Sequence, residues 1–185
     1  MEREQIFSKV GEAAVSWNKV EFIVDRILQL YLDTDSITTK VIMKPLRATD
    51  REKLLRSLVA AKEIDDTIKL EINEALTLCA ICRDNRNLVL HNAGGPDGNF
   101  ASTTLHHVTR VCGDFETLVS YLKRLNVALS SVIYERSSRE TPIDDESSSD
   151  DELLPDIVFT APDRPNRPRR LQHNHIRTIA NADEG

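Results

Sequence analysis

The 185 residues carry a net charge of −6, with 24 Lys and Arg against 30 Asp and Glu. No apolar run is long enough to cross a bilayer and the amino terminus lacks a signal-peptide core, so a cytoplasmic chain with no membrane contact is expected. The acidity is unevenly placed: residues 1–136 hold 18 basic and 19 acidic residues, whereas 137–185 hold 6 and 11, which separates a near-neutral body from an acidic tail.

Residues 3–32 predict a long first helix. Ile6, Val10, Ala13, Trp17, Val20, Val24, Ile27 and Tyr31 recur in steps of three and four and keep one seam apolar. Phe22, Ile23, Leu28 and Leu30 widen the second half beyond that seam. A helix apolar on two sides has two neighbours: the rest of the bundle, and either a second copy of the chain or a deeper part of the same core. Trp17 is expected in the core. Asp33 to Ser36 break the helix and supply capping side chains, and Ile37, Val41, Ile42 and Met43 form a short second helix that Lys44-Pro45 ends.

A third helix starts at Thr49 or Asp50 with Leu54, Leu55, Leu58 and Val59 inward. Arg47, Arg51, Lys53 and Arg56 give it a basic surface, which reads either as a solvated face or as a steering surface for RNA phosphates. Asp65 or Asp66 caps a fourth helix reaching His91, with Ile68, Ile72, Leu76, Cys79 and Cys82 along one face. The Gly- and Asn-rich stretch 92–101 is a loop, and residues 102–112 have the β-branched character of a short extended segment or hairpin. Gly113-Asp114 would then open a fifth helix carrying Phe115, Leu118, Val119, Leu122, Leu125, Leu129, Val132 and Ile133.

After Arg136 the composition changes. Residues 140–156 contain eight acids and neither Lys nor Arg, too little apolar area to offset the entropy of ordering. A segment with Pro162, Pro165 and Pro168 among Arg164, Arg167, Arg169 and Arg170 follows, and its economical reading is a flexible, solvated chain. Between them the apolar island Leu153–Phe159 is a docking point for the body or a partner. The tail as a whole is expected to be mostly disordered and dispensable for the stability of the body.

Cys79 and Cys82 form a Cys-x-x-Cys pair that, with Cys112 and His106 or His107, would supply four zinc ligands. Their place on the apolar face of a helix favours small buried hydrophobes instead, so no metal or other cofactor is expected.

The chemistry concentrates at the end of the fourth helix. Its apolar face continues into Arg86, where an unpaired guanidinium in an apolar setting would cost several kcal/mol, roughly, so this residue is either paired or faces a cleft. Asn87 and His91 stack four apart, with Asp84 one turn earlier. Guanidinium, amide and imidazole at a helix end suit a phosphate. Arg86, the polar Asn87, then three residues and His91 resemble the signature of the HEPN superfamily, small helical proteins that often act as RNA-cutting toxins; the likeness extends more weakly over residues 1–136.

The chain as a whole reads as an all-α antiparallel bundle of four to five helices over residues 1–136, with a small irregular or β-hairpin insertion and an acidic then Pro/Arg-rich, mostly disordered tail over 137–185, a layout in keeping with the resemblance. The resemblance implies a homodimer in which two motifs meet in one cleft, and metal-independent endoribonuclease chemistry leaving a 2′,3′-cyclic phosphate and a 5′-hydroxyl. His91 would be the general base or acid, Arg86 would stabilise the transition state, Asn87 would orient the phosphate or the imidazole, and Arg83 and Asp84 would support them. Arg47, Arg51 and Arg56 would bind RNA. An antitoxin or regulatory protein is an expected partner. Two other readings stay open: a non-catalytic helical dimer that binds RNA, a nucleotide or a protein, and an immunity or regulatory protein whose acidic tail mimics nucleic acid.

Overall fold

The computed structural model describes residues 2–93, 105–140 and 158–171, with side chains over 4–90, 105–138 and 158–171. Among the described residues five helices form one all-α bundle: α1 (Glu2–Leu32), α2 (Ser36–Met43), α3 (Ala48–Lys62), α4 (Asp66–Ala93) and α5 (Leu105–Glu140). No helix among the described residues is long and apolar enough to cross a membrane.

The expected seam of α1 is the observed core face. Ile6, Ala13, Trp17, Val20, Val24, Ile27 and Tyr31 are all buried, because side chains three and four apart share one side of a helix. Its main neighbour is α5. Cys112 near the start of α5 donates to the Lys9 carbonyl at 3.4 Å, and Arg136 and Tyr31, near the ends of α5 and α1, both reach Glu63, so the two helices run parallel. Trp17 packs against Phe115 with ring centroids 5.8 Å apart. α4 runs against both, since its first turns follow Glu63 while Asn85 sits near Arg110 at the start of α5. The caps act as their side chains allow: Asp35 accepts from the amides of Ile37 and Thr38, and Asp65 from those of Thr67 and Ile68.

Residues 105–112 differ from the extended segment expected of them. They are the first turns of α5, which opens at Leu105 rather than at Gly113. Val108, Val111, Cys112 and Phe115 are buried at helical spacing, and that burial outweighs the local preference of β-branched residues for strands. Gly113 is accommodated inside the helix, with no atom within 4 Å of where a Cβ would stand. Of the expected insertion, 94–104 lie outside the described residues.

The tail also departs from a purely solvated chain. α5 continues to Glu140, past the boundary at 136, and residues 158–171 run along the bundle without regular secondary structure. Phe159, the last residue of the apolar island, is part of the buried core. Arg164 meets Glu71 and Arg167 meets Glu74, each at 2.7 Å, so this stretch is held by ion pairs that composition alone does not reveal. Leu153–Ile157 and the acidic run lie outside the described residues.

Candidate functional site

The last turns of α4 are built on a change in what its inner face carries. Ile68, Ile72, Leu76, Cys79 and Cys82 are buried as the spacing predicts. The next inward positions are Asn85 and Val89, and Arg86 stands beside them, half-buried. Arg86 Nη1 donates to Asn87 Oδ1 at 3.2 Å, while its Nε is buried with no hydrogen-bond partner. Among the described residues no carboxylate lies within ion-pair distance of Arg86. A guanidinium with donors to spare at a helix end is equipped to receive an anion. His91 lies in the last turn of α4, five residues after Arg86; its side chain is outside the described residues.

The two supporting residues have separate partners, not each other. Arg83 is paired with Glu52 of α3, which ties the two helices together, and Asp84 lies 3.6 Å from Arg170 of the tail. Of the candidate RNA-binding arginines, Arg51 is committed to packing: it holds the Asp25 carboxylate at 2.9 Å and donates to the carbonyls of Met43 and Leu46. Burial pushes the Asp25 carboxyl up more than Arg51 draws it down. Arg56 donates to Asn73 on α4 at 2.6 Å, and Arg47, at the start of α3, remains exposed. The basic surface of α3 is therefore partly a set of interhelix braces.

The three cysteines are free and buried. Burial pushes the Cys82 thiol up to about 12 and the Cys79 and Cys112 thiols up as well, which keeps them protonated and poor metal ligands at neutral pH. Among the described residues no group of three or more His, Cys, Asp or Glu side chains is placed to hold a metal ion.

Asn85, one residue before Arg86, is the position that the motif obscures. It is 2% exposed, its Nδ2 donates to the Arg169 carbonyl at 3.1 Å and its Oδ1 accepts from the Leu171 amide at 2.9 Å. Arg110 of α5 donates to the same carbonyl at 3.2 Å, and its Nε, like that of Arg86, is buried without a partner. The tail thus ends its described course beside the motif. No family model, curated protein or solved structure matches this chain.

Proposed function

We propose that the chain is a metal-independent endoribonuclease of the HEPN type, with Arg86, Asn87 and His91 as its reacting constellation. The observation that supports this reading most directly is the state of Arg86: no carboxylate among the described residues neutralises it, one of its nitrogens lacks an acceptor, and Asn87 holds its other end. Such a group meets the need of a phosphoryl transition state, whose equatorial oxygens gain charge as the 2′-oxygen attacks. In the proposed step the ribose 2′-hydroxyl loses its proton to an imidazole and its oxygen bonds to phosphorus. The bond to the 5′-oxygen breaks, and that oxygen takes a proton. The products are a 2′,3′-cyclic phosphate and a 5′-hydroxyl. An imidazole ordinarily titrates near neutrality, so a histidine at position 91 suits either proton transfer, and two copies of the chain would provide one imidazole for each.

Pairing of two copies is supported by α1, where Val15 and Phe22, seven residues apart and so on one face, are 57% and 65% exposed. A deciding experiment incubates the purified chain with single-stranded RNA in excess chelator and identifies the new ends. Cyclic phosphates that vanish in Arg86→Ala and His91→Ala chains are expected. Wild-type protein that leaves RNA intact, or cleavage that persists without His91, would remove the enzyme reading.

A second reading, a non-catalytic module that binds RNA, a nucleotide or a protein partner, is favoured by a different observation. Arg51, Arg56 and Arg83 are engaged in contacts within the bundle, which leaves fewer cations to hold RNA phosphates. RNA binding by the intact chain without any cleavage supports that module.

A further inference from the structure

Residues 162–170 read Pro-Asp-Arg, Pro-Asn-Arg, Pro-Arg-Arg, a Pro-x-Arg triplet repeated without interruption. A period of three matches the polyproline II helix, which turns once in three residues and rises ~3.1 Å per residue, so the arginines of such a repeat share one edge. In the fold that edge faces α4. Arg164 pairs with Glu71, Arg167 with Glu74 and Arg170 with Asp84. From Arg164 to Arg170 the strap covers ~19 Å at that rise, and from Glu71 to Asp84 the helix covers ~20 Å at about 1.5 Å per residue. The two ends of the ladder are in register, while the mostly exposed Arg167 side chain leans back to its nearer partner.

The groove recognises more than charge. Pro165 and Pro168 line a cavity with Leu78, Asp114, Thr117 and Leu118, between α4 and α5. Arg164 offers two nitrogens, Nε at 2.7 Å and Nη2 at 2.5 Å, to one oxygen of Glu71, a carboxylate that is 1% exposed and whose other oxygen accepts from Tyr121. Asn85 then pairs with the backbone on both sides of Arg170, reading extended main chain as an adjacent strand would. Preset prolines, carboxylates that meet the arginines at both ends of the strap and an amide clamp on the backbone are the parts of a peptide-binding site.

We propose that the groove between α4 and α5 is a recognition site for an extended Pro-x-Arg peptide, filled in cis by residues 159–171. The cis segment holds the site because its tether gives it a high effective concentration. The same repeat offered in trans competes for the site once the tethered copy is weakened. The Glu71 position selects arginine over lysine, since an ammonium is a single point charge and cannot present two fixed donors.

The test uses the full chain carrying Arg164→Ala and Arg167→Ala, together with a fluorescent synthetic peptide of residues 158–171 read by anisotropy. The peptide is expected to bind the double variant about tenfold or more tightly than it binds the wild-type chain, where it meets the tethered competitor. It should also raise the melting temperature of the variant, and a peptide with lysine in place of Arg164 should bind several-fold more weakly. Equal affinity for the variant and the wild-type chain, or no binding to either, would overturn the proposal. If the double variant does not fold, Asn85→Ala in the full chain removes the clamp without stranding a charge. Exchange of the Leu171 amide and tryptic cleavage after Arg169 and Arg170 should then accelerate about tenfold or more, as expected for local release, while the peptide, which needs the same clamp, should bind no more tightly than to wild type. Unchanged exchange and cleavage in that variant, or a peptide that binds it more tightly than wild type, would overturn the proposal equally.

Discussion

Replacing Arg164 by Ala asks whether a residue of the tail is a stabilising part of the bundle. Glu71 is 1% exposed, and its carboxylate is met by the Tyr121 hydroxyl on one oxygen and by Arg164 on the other. Without the guanidinium the buried charge keeps one neutral hydrogen bond. Stranding one member of a fully buried pair costs about 3–5 kcal/mol. The Arg164 side chain is 42% exposed, so water already screens the pair and enters more freely once it is gone; a loss of about 2 kcal/mol is the discounted expectation.

For a folded body of this size that corresponds to a fall of roughly 4–8 °C in melting temperature at neutral pH, measured by calorimetry. Glu71→Gln should absorb most of the effect, because a neutral amide needs no countercharge, and the double variant should melt close to the Glu71→Gln chain. An Arg164→Ala chain as stable as wild type, or one whose deficit is the same with Gln at position 71, would refute the assignment of this contact as a buried ion pair.

Arg86→Ala and His91→Ala should each lower RNA cleavage about a hundredfold or more while the circular dichroism spectrum is retained, as measured by the rate of cyclic-phosphate formation. A heterodimer with Arg86 missing from one chain and His91 from the other should lose most activity if the cleft is shared; full activity there would mean that each chain works alone. Phe22→Asp should convert a dimer to a monomer in light scattering at micromolar concentration, and an unchanged mass would move the interface away from α1. Glu63 lies among the Tyr31 hydroxyl, Arg136 and the amides of Ile64 and Asp65. Burial pushes its carboxyl up, but these donors more than offset that and hold it below the ordinary value of 4.5. Its contribution is therefore full above that value and lost as pH falls through the lowered one, so Glu63→Gln should flatten the acid limb of the stability curve relative to wild type.

Much of the bundle is local information. The seam of α1 from Ile6 to Tyr31, the inner face of α4 from Ile68 to Cys82 and the caps at Asp35 and Asp65 follow from helical spacing and from what a short carboxylate can accept, and each is legible residue by residue. The cluster Arg86, Asn87 and His91 at the end of α4 is equally a matter of adjacency along the chain. Only the tertiary structure decided the rest. Val108 and Val111 join a helix because a core face formed by α1 is there to bury them, a fact absent from their own neighbourhood. Arg83 is paired with Glu52 rather than Asp84, and Arg51 with Asp25, since an ion pair depends on which charge lies nearest in space. The tail shows this most plainly. Its Pro-x-Arg period is visible in the sequence, but Glu71 lies 93 residues before Arg164, and composition cannot register a countercharge at that separation. Helix formation is encoded over a few residues, whereas the pairing of a strap with a groove exists only after the helices that form the groove have come together.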